Sequence, residues 1–216
     1  MVQMVTPVYW KDWQKKRMKN NFEVFVLNAD LKQPALKGNR DILKSAAACF
    51  GVPKGALEGE FLSFGPKGKP SFKKSNTHFS ISHSEGLWAC LMGPSCCGID
   101  VQYIKPCNYN KIAGRFFSEK EANYVNENGI EAFFELWTRR EAYAKYTGEG
   151  FFGPMPDLVD ERGKLKDRLV CEDHTVCFEE MVIAENLKAT ICVDAAYEGK
   201  IEIRRDWYYE DYIFIG

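Results

Sequence analysis

Asp100 and Gln102 stand two residues apart in the segment GIDVQ, Gly98 to Gln102, and Glu141 and Lys145 stand four apart in LWTRREAYAKYTGEG. Read as a strand, GIDVQ puts Asp100 and Gln102 on one face and Ile99, Val101 and Tyr103 on the other. Read as a helix with about 100° per residue, the second segment gathers Phe134, Trp137, Glu141 and Lys145 into one sector beside Phe133 and Ala144. Each pattern has a plainer explanation. An acid on an apolar strand fits an edge strand whose polar face is in water, and Glu-x-x-x-Lys on a helix fits a surface ion pair. The Trp four residues before Glu141 argues for a site, because a surface pair usually has polar neighbours. Asp100 and Glu141 together offer two hard oxygens of the kind Mg²⁺ takes alongside water and a diphosphate. Arg139, Arg140 and Lys145 add the positive charge that phosphate oxygens need.

Those residues have to be positioned by surrounding elements. FEVFVL, residues 22–27, reads as a buried strand, and DILKSAAACF, residues 41–50, reads as a helix stopped by Gly51 and Pro53. From Thr77 the period changes to two. THFSISHS, LWACLMG and GIDVQYI, separated by a Ser-Glu-Gly turn and a loop at residues 94–97, predict an antiparallel three-strand meander. One helix is expected over residues 108–128 and a second over about 130–146, terminated by Gly148 and Gly150. DRLVCED, VCFEEMVIAE, LKATICVDAAY and KIEIRRDWYYEDYIFI then return to strand patterning. The basic run KDWQKKRMKN, residues 11–20, reads as a solvated surface segment. The order of elements predicts an α+β protein of two halves, joined near Gly98 to Pro106.

With 45% hydrophobic residues the chain can bury a sizeable core, and 29 Lys+Arg against 30 Asp+Glu gives no global field that calls for nucleic acid. No apolar run approaches the roughly 18 residues of a spanning helix, and MVQMVTPVYWKDW lacks the pattern of a secretory signal, so a cytoplasmic protein without membrane contact is expected. The eight cysteines lie mostly in apolar stretches and read as buried thiols. Cys171, His174 and Cys177 are spaced by three, but strand alternation would turn His174 away from both cysteines, which argues against zinc.

GIDVQ, the following RFFSEKE and WTRREAYAK resemble the three signature blocks of the 4′-phosphopantetheinyl transferases. GKPSF and FSISHSEGLWACLMG are similar to blocks that the long, single-chain, surfactin-synthetase-activating members carry upstream. The likeness runs in order from about residue 65 to 150. It implies two pseudo-symmetric α+β halves, residues 1–98 and 99–216, each an antiparallel sheet packed on a helix, with coenzyme A in the cleft between them. It also implies Mg²⁺-dependent, or Mn²⁺-dependent, transfer of the phosphopantetheine arm to a serine of an acyl or peptidyl carrier protein, releasing adenosine 3′,5′-bisphosphate. Such carriers serve fatty acid, polyketide or nonribosomal peptide synthesis.

The same resemblance assigns residues. Asp100, Gln102 and Glu141 match the metal positions, Glu141 also being placed to take the serine proton, and Lys145 matches the lysine that contacts the diphosphate. Arg140 occupies the position of a lysine just before the glutamate. Ser82 and His83 match a pair near the phosphate end of coenzyme A, although a histidine after a strand is also a common hydrogen-bonded turn residue. Lys69 and Pro70 match the adenine side, and Lys37 and Arg40 in ALKGNRDILK are the candidates for the 3′-phosphate. Glu121, in the RFFSEKE block, suits helix capping as well as substrate contact. Lys105, Lys111, Arg115 and Lys120 could form a basic patch for an acidic carrier, and a monomer is expected. Gln102 departs from the second acid of the pattern, so weaker metal affinity is expected.

Two other readings compete. One is a coenzyme A-binding or carrier-binding protein of the same fold without catalysis. The other is a different Mg²⁺-dependent phosphate-handling enzyme, against which stands the absence of a P-loop pattern in GPKGKP and TGEGFFG.

Overall fold

The computed structural model describes residues 21–28, 40–205 and 207. Lys37, the basic run 11–20 and most of the last apolar segment lie outside them. Strand β1 (Phe22–Asn28) sends Phe22, Val24 and Val26 into one core and Phe25 into another. A strand covered on both faces needs a largely apolar run, which FEVFVL is except for Glu23, whose carboxylate accepts from Arg204 Nε at 3.1 Å. Helix α1 (Arg40–Phe50) buries Ile42, Leu43, Ala46 and Ala47 on one stripe. A short hairpin follows, β2 (Leu62–Phe64) with β3 (Pro70–Phe72). Strands β4 (His78–Ser84) and β5 (Leu87–Gly93) then pair antiparallel. Their two-residue turn takes positive φ at both Glu85 and Gly86, the geometry that suits a tight hairpin.

The expected meander ends there. Strand β6 (Cys97–Tyr103) does not continue the first sheet but pairs antiparallel with β9 (Leu187–Asp194). It opens a second sheet of order β6-β9-β8-β7, with β7 (Arg168–Val170) and β8 (Thr175–Glu180). Ile99 and Val101 are buried in a core shared with Val24, Val26 and Leu91 of the first sheet, so β6 stays against that sheet although its backbone ladder is with β9. Its backbone N–H groups are taken up by side chains. Ile99, Val101 and Tyr103 donate to the hydroxyls of Ser80, Ser82 and Ser84 at 3.1, 3.2 and 3.0 Å. The constant 19-residue separation means that β4 and β6 run in the same direction, with serine oxygens standing where strand carbonyls would otherwise accept. The edge of β6 is therefore covered, and the picture of an edge strand with its polar face in water does not hold.

The helix expected over residues 108–128 is two elements, α2 (Tyr109–Phe116) and the start of α3 (Glu119–Thr147). Ser118 interrupts them because it restarts the helix with a capping box: its hydroxyl accepts from Glu121 N–H and the Glu121 carboxylate accepts from Ser118 N–H. Gly129, at φ 80° and ψ −161°, breaks α3 near the expected second boundary, a conformation open to glycine. Beyond Gly129, α3 packs on the outer face of the second sheet through Phe133, Leu136 and Ala142. The mixed α+β class is as expected. Strand β10 (Ile201–Arg204) returns to pair in parallel with β1, making the first sheet β10-β1-β5-β4. Trp207 packs on Phe25 and Trp88 in the first core. The cysteine reading is corrected in part: Cys90, Cys97 and Cys192 are buried thiols, but Cys49, Cys96 and Cys107 are exposed. No helix among the described residues is long and apolar enough to cross a membrane.

Candidate active site

Strand β6 and helix α3 approach closely enough that a Cβ on Gly98 would lie 1.9 Å from the Ala142 carbonyl oxygen. Glycine at the head of GIDVQ is thus what lets the helix lie against the strand. One residue pair further along, Asp100 points to the same side and is 2% exposed. Its Oδ1 accepts from Lys145 Nζ at 2.7 Å and from Ser82 Oγ at 2.7 Å, and its Oδ2 accepts from Gln102 Nε2 at 3.3 Å. Lys145 also donates to the Ile99 carbonyl at 3.0 Å. The lysine therefore pairs across to the strand; it does not form an i,i+4 pair with Glu141. The Glu141 carboxylate, one turn earlier, has no hydrogen-bond or ion-pair partner among the described residues. Burial first, and then the charge of Asp100, push its pKa above the ordinary carboxylate value, while Lys145 pulls it back.

Glu141 and Lys145 form one wall of a cleft of about 260 Å³, whose other lining residues include Lys67, Lys69, Pro70 and Phe151. The hairpin and the end of α3 thus face one another. Lys69 Nζ donates to the Tyr146 carbonyl at 2.8 Å and to the Cys97 carbonyl at 3.4 Å, so it fastens the hairpin to the C-terminal end of α3, where carbonyls collect negative potential. Burial lowers its pKa.

Other candidates lie elsewhere. Ser82 is buried with its hydroxyl shared between Asp100 and Val101 N–H, which makes it a holder of Asp100. His83 is exposed on β4. Arg40, at the start of α1, pairs with Glu60 at 3.3 Å, and α1 contributes nothing to the lining of the cleft. The two arginines expected to meet phosphate are committed to carboxylates. Arg139 reaches Glu180 at 2.8 Å and Asp167 at 3.4 Å. Arg140 reaches Glu121 at 2.7 Å, with its guanidinium over the Phe117 and Phe151 rings. The positive charge of the cleft comes instead from Lys67, Lys69 and Lys145.

Two supports were only partly readable from the sequence. The alternating Ser80, Ser82 and Ser84 of FSISHS were visible as a pattern, but their acceptor role depends on which strand lies alongside. Glu121 is fully buried and binds three donors: Leu158 N–H at 3.0 Å, Ser118 N–H at 3.1 Å and Arg140 Nη1 at 2.7 Å. Its capping role was expected from the sequence; its bonds to Arg140 and to Leu158 N–H were not. Of the three residues weighed for zinc, Cys177 lies on β8, while Cys171 and His174 fall in the turn between β7 and β8, where Cys171 lies 3.6 Å from the Tyr143 hydroxyl and His174 pairs with Asp173. Among the described residues no group of three or more His, Cys, Asp or Glu could hold a metal ion.

Residues 96–192 match the model of the 4′-phosphopantetheinyl transferase superfamily. The chain is 31% identical over 169 residues to a 4′-phosphopantetheinyl transferase of Bacillus subtilis, an alignment that covers 73% of this chain and 72% of that protein. The 4′-phosphopantetheinyl transferase gsp of Aneurinibacillus migulanus is 37% identical over 131 residues, 58% of this chain and 54% of gsp. The 4′-phosphopantetheinyl transferase HetI of a Nostoc strain is 34% identical over 122 residues, 51% of this chain and 50% of HetI. The chain thus spans about half the length of gsp and of HetI. It belongs to the 4′-phosphopantetheinyl transferase superfamily.

Proposed function

We propose that this chain transfers the 4′-phosphopantetheine arm of coenzyme A to a serine of an acyl or peptidyl carrier protein, releasing adenosine 3′,5′-bisphosphate. The observation that carries this reading is that Glu141 and Lys145 of α3 stand on the wall of a lysine-lined cleft, with Lys145 paired to the buried Asp100 of β6. The donor set fits a hard divalent cation, Mg²⁺ or Mn²⁺. Burial first, and the Asp100 charge second, raise the pKa of Glu141, and a cation beside the two carboxylates would offset both effects. Asp100 and Glu141 would hold the ion, with Gln102 beside them and substrate oxygens and water completing its shell. When bound, the ion supplies charge neutralisation for the diphosphate.

The chain's own groups do the remainder. Glu141, half-buried and unpaired, is placed to accept the proton of the incoming serine hydroxyl, directly or through water. Lys145 and Lys69 line the cleft on the diphosphate and adenine sides, Lys145 paired in this structure with Asp100 and Lys69 with the Tyr146 and Cys97 carbonyls. Pro70 lines that side, while Ser82 keeps Asp100 aimed. We assign Arg140 a supporting role through Glu121, and leave His83, Lys37 and Arg40 as candidates for the nucleotide end. Calorimetry with coenzyme A and with ATP tests the ligand class: coenzyme A binding well above ATP binding supports the reading, and the reverse contradicts it.

Gln102→Glu restores a third carboxylate beside Asp100 and is expected to tighten Mg²⁺ binding by about tenfold. An unchanged Mg²⁺ titration would place that side chain outside the ion's reach.

For the carrier, the four basic candidates divide. Lys105 pairs with Glu85 and Lys120 with Glu161, whereas Lys111 and Arg115 on α2 have no ion-pair partner among the described residues. Arg115 lies over the Phe116 ring, against which packs Phe152, 82% exposed. Reversing both charges, Lys111→Glu with Arg115→Glu, should raise the carrier KM by about tenfold and steepen no salt dependence, leaving coenzyme A affinity unaltered. Unchanged carrier saturation would remove α2 from the docking surface.

A further inference from the structure

We propose that Lys145 and a divalent cation are alternative partners of the same oxygen, Asp100 Oδ1, so that the cation's arrival delivers the lysine ammonium into the cleft. The inference rests on the reading of Asp100 and Glu141 as a cation site. Oδ1 already has two donors at 2.7 Å, the Ser82 hydroxyl and the Lys145 ammonium, which use both of its lone pairs. Ser82 is fixed by its place on β4, by its burial and by the Val101 N–H that it accepts. Of the two donors, only Lys145 can leave. It sits on a flexible four-carbon stem, its side chain is 28% exposed, and it lines the cleft. Its second bond, to the Ile99 carbonyl at 3.0 Å, is lost in the same movement.

A buried carboxylate is costly without a positive partner, so Asp100 exchanges one cation for another and is never left bare. Lys145, once displaced, stays on the cleft wall that it shares with Glu141, Lys67 and Lys69. There its charge serves an anionic diphosphate. Reciprocally, an anion that draws Lys145 into the cleft frees Oδ1 for the divalent ion, since coupling between two sites is mutual. Lys145 thereby links cation and diphosphate occupancy through a side chain of the protein, in addition to any contact between the two ligands.

The test uses the full chain, stripped with EDTA, and metal alone, without coenzyme A or carrier. Mn²⁺ titration followed by electron paramagnetic resonance should show Lys145→Met binding at least about tenfold more tightly than the unsubstituted protein. Because removing a nearby positive charge also strengthens cation binding, a second readout decides. The Lys145 Nζ resonance in ¹⁵N-lysine-labelled protein, identified by its loss in Lys145→Met, should shift and become exchange-broadened as Mg²⁺ is added. It should stay unmoved by Mg²⁺ in Glu141→Gln. A Met variant that binds Mn²⁺ no more tightly overturns the proposal, as does a Lys145 signal that stays unmoved at Mg²⁺ saturation. Neither readout involves transfer, so a failure here leaves the proposed reaction standing, and a protein that fails to transfer could still show the exchange.

Discussion

Glu141→Gln is expected to lower transfer by at least about 10³-fold while leaving the fold intact or firmer. The glutamine keeps the volume and shape of the side chain, so packing against α3's neighbours is unchanged; what is lost is an anionic ligand and a proton acceptor. The stability half of the expectation follows from the pKa. Burial and the Asp100 charge raise the folded-state value above the unfolded one, so the folded protein binds the proton more tightly. Glu141 therefore favours folding below the ordinary carboxylate range, and that contribution is lost as pH rises through the raised value. A permanently neutral side chain escapes the loss. Metal-stripped Glu141→Gln should unfold at a higher temperature than the parent at neutral pH, with the difference shrinking as the pH falls toward the ordinary carboxylate range. Differential scanning calorimetry at several pH values, alongside a turnover assay, reads both effects. Retained turnover would remove Glu141 from the chemistry, and a less stable variant at neutral pH would show that the repulsion from Asp100 is absent.

Glu121→Ala is expected to cost about 3–5 kcal/mol, the loss that follows when one partner of a buried ion pair is removed. Glu121 is fully buried, and its carboxylate answers the Arg140 guanidinium, the start of α3 through Ser118 N–H, and the segment after the cleft through Leu158 N–H. Without it, Arg140 is a buried charge whose Nε already has no partner. For a chain of this length the loss corresponds to a fall in Tm of about 10 °C. The double variant Glu121→Ala with Arg140→Met should recover part of it, because the stranded charge goes as well. A single-variant cost below about 1 kcal/mol in urea unfolding would contradict the keystone role.

The reach of the sequence can be judged from particular residues. Asp100, Glu141 and Lys145 were legible because two local periods fix them: alternation along β6 puts Asp100 opposite Ile99 and Val101, and the helical period puts Glu141 and Lys145 on one face of α3. Local periods say nothing about which neighbour an element meets. The run from Thr77 to Ile104 looked like one meander because each strand alternates, whereas β6 has its backbone ladder with β9 in the second sheet. For the same reason the serines of FSISHS gave no sign that they would accept from β6, and β10 gave no sign that it would return to β1. Arg139 and Arg140 were grouped with Lys145 by proximity in sequence, but consecutive helical positions point about 100° apart, and both reached carboxylates supplied by distant segments. Glu121 is the opposite case: its fitness for helix capping was readable in the RFFSEKE block and holds through Ser118, whereas the helix break that the cap makes there was not foreseen.

The central claim is a reaction, and mass reports it most directly. Intact-mass spectrometry of an apo carrier protein, incubated with this chain, coenzyme A and Mg²⁺ and compared with an EDTA control, should show the gain of one phosphopantetheine group, abolished by EDTA. A carrier mass that stays unchanged across acyl and peptidyl carriers, while calorimetry still detects coenzyme A binding, would contradict the account and leave a coenzyme A-binding protein of the same fold.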